Sequence, residues 1–142
     1  MLNLLLPVDG SQSSCRAADH LVKKQGWYKE PLQIHLLNVQ PPVLSGNVRM
    51  FISKDQINQF HHDEGMAALA APRKILDEAR LAYKHHILVG EAAETIVRFA
   101  REHDCQQIIM GTRGLGSVSG LLLGSVATKV IHLAEVPVLL VK

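Results

Sequence analysis

A chain of 142 residues is about one domain at roughly 150 residues per domain, so a single unit over residues 1–142 is expected. With 47% hydrophobic and 20% charged residues it can bury a core, which excludes disorder as the main state. A net charge of +2 and 4% aromatic residues leave neither the field nor the stacking surfaces for nucleic acid as the main partner, and no strong pull to an anionic membrane.

Residues 2–8 form a short, nearly all-apolar run, the pattern of a strand covered on both faces, and Pro7 and Asp9 interrupt it too early for a signal peptide. Ser11 is placed to cap a helix whose apolar positions Cys15, Ala18, Leu21 and Val22 recur at helical spacing until Gly26. Residues 32–39 (LQIHLLNV) read as a second strand, ended by Pro41 and Pro42, with a loop over 41–54. Between residues 55 and 84, Ile57, Phe60, Ala68, Ala71, Ile75, Ala79 and Ala82 predict one or two helices, with Gly65 and Pro72 as breaks or kinks.

A third strand is predicted over 86–89, a helix over 92–102 with Ile96, Val97 and Ala100 inward, and a fourth strand over 107–110. A glycine- and serine-rich loop follows over 111–120, then a helix over 121–134 and a last strand over 136–141. No apolar stretch approaches the roughly 20 residues of a membrane helix, so no membrane partner is expected. Cys15 and Cys105 form no C-x-x-C pair, which excludes a cysteine zinc site and a disulfide framework and fits a cytoplasmic location.

Strands alternating with helices predict an α/β fold, a five-stranded parallel sheet doubly wound in the order 3-2-1-4-5, Rossmann-like. The winding reverses between strands 1 and 4, where a ligand crevice is expected. The turns leaving those strands are Asp9-Gly10-Ser11 and the 111–120 loop, the turns richest in glycine and hydroxyl groups. In GTRGLGSVSGLLLGSVATKV, Gly111, Gly114, Gly116 and Gly120 let backbone approach a ligand closely, and Gly124-Ser125 lies at a helix opening whose N–H groups favour an anion. Arg113, Ser117 and Ser119 add potential contacts. Together these features read as a polyphosphate cradle without a lysine.

No Gly-Lys pair exists for a Walker loop, and the glycines run GxxGxG after the fourth strand, unlike the dinucleotide fingerprint after the first. A P-loop ATPase and a nicotinamide dehydrogenase are therefore unsupported. Gly111-x2-Gly114-x9-Gly124-Ser125 instead resembles the ATP-binding signature of the universal stress protein family. The segments LLLPVDGS, ILVGEAAETIVRFAREHDCQQIIMG and VPVLLVK resemble its first strand, central region and last strand. The resemblance implies the adenine nucleotide alpha hydrolase-like fold, with Asp9 beside the nucleotide and Pro7 and Val8 as the adjoining wall. It further implies Val39 lining the adenine pocket through its backbone, Met110 and Gly111 near the ribose, and Gly114, Gly124, Ser125 and Val126 around the phosphates. ATP is the implied ligand, with Mg²⁺ arriving on the nucleotide rather than in a protein cage.

The same residues have plainer readings. Asp9-Gly10-Ser11 is also a turn and cap, and Met110 and Val39 are also core residues. His61-His62-Asp63-Glu64 contains no HExxH, and adjacent histidines point to different sides of a helix, so a solvated face is favoured over a metal site; His85-His86 is read the same way. Cys15 reads as a small core residue and Cys105 as a boundary residue.

Arg113 suits a charge stabiliser and Asp9 a metal or water holder, but no residue stands out as a base, so binding is favoured over turnover. The expected function is an ATP-responsive regulatory module of stress physiology, read out by a protein partner. The alternatives are a slow ATPase or phosphotransferase on the same pocket and a structural or chaperone-like dimer without nucleotide. The last strand, with Val136 and Val141 at its ends, lies on a sheet edge and is expected to pair with a second copy as a homodimer, as the family resemblance also implies.

Overall fold

The computed structural model describes residues 1–43, 53–114 and 122–142. In chain order they form β1 (Leu2–Pro7), α1 (Gln12–Lys24), a 3-10 turn (Gln25–Trp27), β2 (Leu32–Gln40) and α2 (Lys54–Glu78). After these come β3 (Tyr83–Val89), α3 (Ala92–Glu102), β4 (Gln107–Gly111), α4 (Ser125–Leu133) and β5 (Val138–Val141). The strands make one parallel sheet in the order β3-β2-β1-β4-β5, as the alternating pattern predicts.

The apolar runs follow from two covered faces. Leu4 and Leu6 of β1 and Ile34 and Leu36 of β2 pack under α1 and α2, through Ala17, Ala18, Leu21, Leu69 and Leu76. Leu5, Leu37, Ile108 and Met110 face the other way, against Ala93, Ile96, Phe99 and Ala100 of α3 and Ala127 and Val130 of α4. Because side chains alternate along a strand, Leu4, Leu5 and Leu6 are all buried, each contributing about 1.5–3 kcal/mol of transfer free energy.

Several boundaries differ from the prediction. The long helix ends at Glu78 and β3 begins at Tyr83, α4 begins at Ser125 after the non-helical residues 122–124, and β5 begins at Val138. Gly65 and Pro72 do not break α2, which is one helix of 25 residues opened by a capping box between Ser53 and Gln56. Its buried stripe is His61, Gly65, Leu69, Pro72 and Leu76, one position off the stripe predicted from Ile57, Phe60, Ala68, Ala71 and Ile75. Phe60 is consequently half exposed. Gly65 faces β3 so closely that a Cβ would lie 2.6 Å from the Ile87 side chain. Pro72 withholds one backbone donor at a local cost of about 3 kcal/mol, which burial of Leu69 and Leu76 on the same stripe is large enough to offset.

Two helices end on left-handed residues. Beyond α2, Arg80 has φ 58° and the Leu81 N–H donates to the Leu76 carbonyl; beyond α3, Asp104 has φ 49° and the Cys105 N–H donates to the Ala100 carbonyl. This is the closing turn that glycine suits best. Arg80→Gly is expected to raise stability by roughly 0.5–1 kcal/mol, seen as a higher urea midpoint at unchanged slope. A lower midpoint would show that the exposed Arg80 side chain stabilises more than its backbone strain costs.

Candidate functional site

The ladder between β1 and β4 comprises Leu4↔Gln107 and Leu5↔Ile108, whereas β1 stays paired with β2 up to Pro7↔Leu37. A cavity lies at the carboxyl ends of β1 and β4, the place the reversal of winding predicts. Of the residues singled out from the sequence, Pro7, Val8, Asp9, Val39, Met110, Gly111, Arg113, Gly114 and Val126 line it. Gly124 and Ser125 do not: Gly124 is the buried N-cap of α4, and Ser125 is exposed and borders a separate groove with Thr128 and His132. Gly116, with Ser117, Ser119 and Gly120, lies outside the described residues.

The turn after β1 is fixed by its own polar groups. Gly10, at φ +88°, swings the chain into α1, and Ser11 caps that helix by accepting from the Ser14 N–H. Asp9 Oδ1 accepts from the Ser11 N–H and the Ser14 hydroxyl, both at 2.9 Å, and the Asp9 N–H donates to Ser14 Oγ at 3.2 Å. The carboxylate is therefore oriented by the first turn of α1. Its other oxygen, Oδ2, occupies the space where a Cβ on Gly114 would sit. Buried Asn38 donates to the Val8 carbonyl at 2.8 Å and accepts from Gln40, tying the end of β2 to the end of β1.

The exit of β4 is held between two helix openings. The Arg113 N–H donates to Ser13 Oγ at 3.3 Å, and the Gly124 N–H donates to the Thr112 carbonyl at 2.6 Å. Gly111 is pressed against Ser13, whose carbonyl oxygen and carbon would lie 2.6 and 2.7 Å from an added Cβ. First-turn residues of three helices border the cavity: Ser14 of α1, Ala92 of α3, and Val126 and Ala127 of α4. The positive ends of the helix dipoles make that side attractive to an anion. Pro7, Leu37, Val39, Ile96 and Met110 supply the apolar part of the lining. The arrangement suits a ligand with a flat apolar end and an anionic end.

Ser14, Leu37, Ala92, Ile96 and Ala127 of the lining, with Ser13 and Asn38 behind it, escaped the sequence reading. For the serines a signal existed, since Ser11, Ser13 and Ser14 follow Asp9-Gly10 directly. Ile96 and Ala127 are indistinguishable in sequence from ordinary helix core. Glu94 of α3 and Lys129 of α4 pair at 2.5 Å, joining the two helices on that side; the hydrogen bond lowers the carboxyl pKa and raises that of the ammonium.

The histidine readings need correction. His61 is buried because it continues the Gly65–Leu69–Pro72–Leu76 stripe, and its Nδ1 has no hydrogen-bond partner among the described residues, while His62, Asp63 and Glu64 are exposed. His85 is exposed, but His86 is half-buried and hydrogen-bonded to His35. Cys105 is buried, and desolvation with added repulsion from Asp104 pushes its thiol up to about 11. Cys15 is half-buried, its thiol raised by desolvation and then by Asp19, so neither cysteine is an activated nucleophile. Among the described residues no cluster of His, Cys, Asp or Glu is arranged to hold a metal ion, and no helix is long and apolar enough to cross a membrane.

Comparison with known proteins gives the family and the fold. The chain is 34% identical over 140 residues to universal stress protein MJ0531 of Methanocaldococcus jannaschii, covering 98% of this chain and 81% of that protein. Its fold is similar to that of protein MJ0577, a universal stress protein of the same organism, with a TM-score of 0.81, 28% identity, and 99% and 94% of the two chains covered. The universal stress protein of Archaeoglobus fulgidus, solved in complex with dAMP, shares the fold at a TM-score of 0.67 and 23% identity, with 100% and 98% covered. The model of the universal stress protein family matches residues 1–142, and the chain belongs to that family.

Proposed function

We propose that this chain binds an adenine nucleotide, ATP in the cell, in the cavity between β1 and β4 and acts as a nucleotide-responsive regulatory module in stress physiology. The observation that carries the reading is the junction of an apolar wall with first-turn residues of three helices, beside a carboxylate oriented by Ser11 and Ser14. A purine fits the wall of Val39, Leu37 and Met110, ribose hydroxyls suit the Asp9 carboxylate, and phosphates suit the openings of α1 and α4 with Gly114 and Arg113. A relative of the same fold solved with dAMP supports the choice of an adenine nucleotide. Asp9 is the one carboxylate among the described lining residues, which fits a Mg²⁺ ion held mainly by phosphate oxygens and water.

Binding is favoured over rapid turnover because Oδ1 of Asp9 already accepts two hydrogen bonds and no other described lining residue is a carboxylate, histidine or lysine able to act as base. The test is to denature purified protein, chromatograph the released nucleotide, and titrate the stripped protein with ATP and Mg²⁺ by calorimetry. Co-purified adenine nucleotide or affinity in the micromolar range, on the order of 8 kcal/mol, is the expected result. No nucleotide and no heat would refute the reading, and steady ADP release above a protein-free control would replace the sensor with an ATPase.

β5 is an edge strand, and Val138 to Val141 are only half-buried within one chain. A second copy pairing along it would cover both the backbone edge and these side chains. Sedimentation at tens of micromolar is expected to show a dimer. A monomer at that concentration would leave the edge uncovered and refute the pairing.

A further inference from the structure

Three imidazoles meet under the outer end of α3, away from the cavity. His35 of β2 is 5% exposed, and its Nδ1 lies 3.0 Å from Nε2 of His86 on β3, the edge strand on that side of the sheet. His103, just past α3, stacks its ring on Phe99 at 3.7 Å and 11°, and its Nδ1 lies 3.1 Å from the Phe99 carbonyl, to which it donates. The Phe99 ring in turn sits 4.7 Å from His86 and 5.6 Å from His35, and His103 is 5.7 and 5.6 Å from the same two rings. One aromatic cluster thus joins β2, β3 and the end of α3. The same α3 presents Ala92 and Ile96 to the cavity at its other end.

The bond between His35 and His86 needs one nitrogen bare and the other protonated. A first added proton places a cation on a pair packed against Phe99, and a second turns both facing nitrogens into donors 3.0 Å apart, which breaks the bond. The charged groups nearby oppose both steps. His35 is acted on by His86, His103 and Lys84, and His86 by His103, His85 and Lys84, all of them basic. The carboxylates of α3 are engaged elsewhere, Glu94 with Lys129 of α4 and Glu102 with Arg98.

We propose that the His35–His86 pair in this cluster is a proton-sensitive latch between β2, β3 and α3, closed when the two imidazoles are neutral and released by acid, so that low pH loosens the α3 wall of the cavity. Burial, then the neighbouring positive groups, depresses His35 to about 4 from an ordinary 6.5 and lowers His86 as well. A depressed histidine binds protons more weakly in the folded state than in the unfolded chain, so its contribution is complete above about pH 6.5 and is lost as pH falls toward 4. For His35 alone the unfolding constant should rise on the order of a hundredfold across that interval.

Only the coupling to ligand affinity depends on the nucleotide reading; the latch stands without it. The experiment has two arms on the full chain. The first follows histidine ring protons and backbone amides by NMR from pH 8 to 4.5. His35 should remain neutral below pH 5, and amide exchange, corrected for intrinsic rates, should rise in β3 and α3 well before β4. A His35 titrating near 6.5, or exchange rising uniformly, would overturn the latch. The double variant His35→Leu/His86→Phe, in which neither position can titrate, should flatten the fall of the urea midpoint between pH 7 and 5, and a slope like that of the parent protein would count equally against it. The second arm measures ATP affinity at pH 7.5 and 4: about twofold weaker binding at pH 4, where His35 is half protonated, is expected, and the variant with neither histidine should not show it. Unchanged affinity with an intact latch signature would refute the coupling alone, and no binding at either pH would refute the nucleotide reading while leaving the latch standing.

Discussion

Gly111→Ala is expected to destabilise the protein by about 3 kcal/mol or more, a large part of the 5–15 kcal/mol typical of a domain. The added methyl meets not only the Ser13 hydroxyl but the Ser13 carbonyl oxygen and carbon, at 2.6 and 2.7 Å. A side chain could rotate away, whereas this backbone belongs to the first turn of α1, anchored by the Ser11 cap and by the buried Ala17, Ala18 and Leu21. Relief requires lifting α1 from β4, which opens the core on that face. A Ser13→Gly partner substitution removes the hydroxyl but not the carbonyl, so the double variant should recover little. Urea unfolding followed by far-UV circular dichroism reads the effect, and a loss below about 1 kcal/mol would show that α1 and β4 have slack.

Gly114→Val should do the reverse, sparing the fold and removing the ligand. Its Cβ falls on Oδ2 of Asp9, in a turn outside every helix and strand, so the branched side chain must displace the carboxylate or enter the cavity. ATP affinity should drop at least tenfold, about 1.4 kcal/mol, with the urea midpoint nearly unchanged. Ser14→Ala, which removes one donor to Oδ1 without filling space, should cost less than Gly114→Val. Full affinity in a folded Gly114→Val protein would mean that nucleotide, if bound, sits elsewhere. Together the two glycines separate a packing role from a ligand role within one four-residue stretch, a distinction that their identical residue type hides.

The misread helix shows where sequence periodicity fails. On α2 the true stripe contains His61, Gly65 and Pro72, none of which scores as a core residue, so the alanines and Phe60 one position away looked more periodic. Gly65 is there because Ile87 leaves no room for a side chain, a fact located on β3 and invisible from α2. His35 presents the same difficulty, since nothing in LQIHLLNV tells that a buried imidazole will find its partner on a strand 51 residues away.

By itself the sequence determined the alternation of strands and helices, the doubly wound sheet and the crevice at its reversal, because strands buried on both faces must be continuously apolar and parallel strands require crossovers. It also marked Asp9, Arg113 and Gly114, which line that cavity, because the turns leaving strands 1 and 4 are the richest in glycine and polar groups. The tertiary structure alone decided which side chains share the cavity, that Gly124 and Ser125 stand outside its lining while Ser14 and Ile96 belong to it, and that three histidines converge. Those outcomes depend on the distances and angles at which helices settle on the sheet, and packing sets these through pairs of residues far apart in the chain, which no local pattern records.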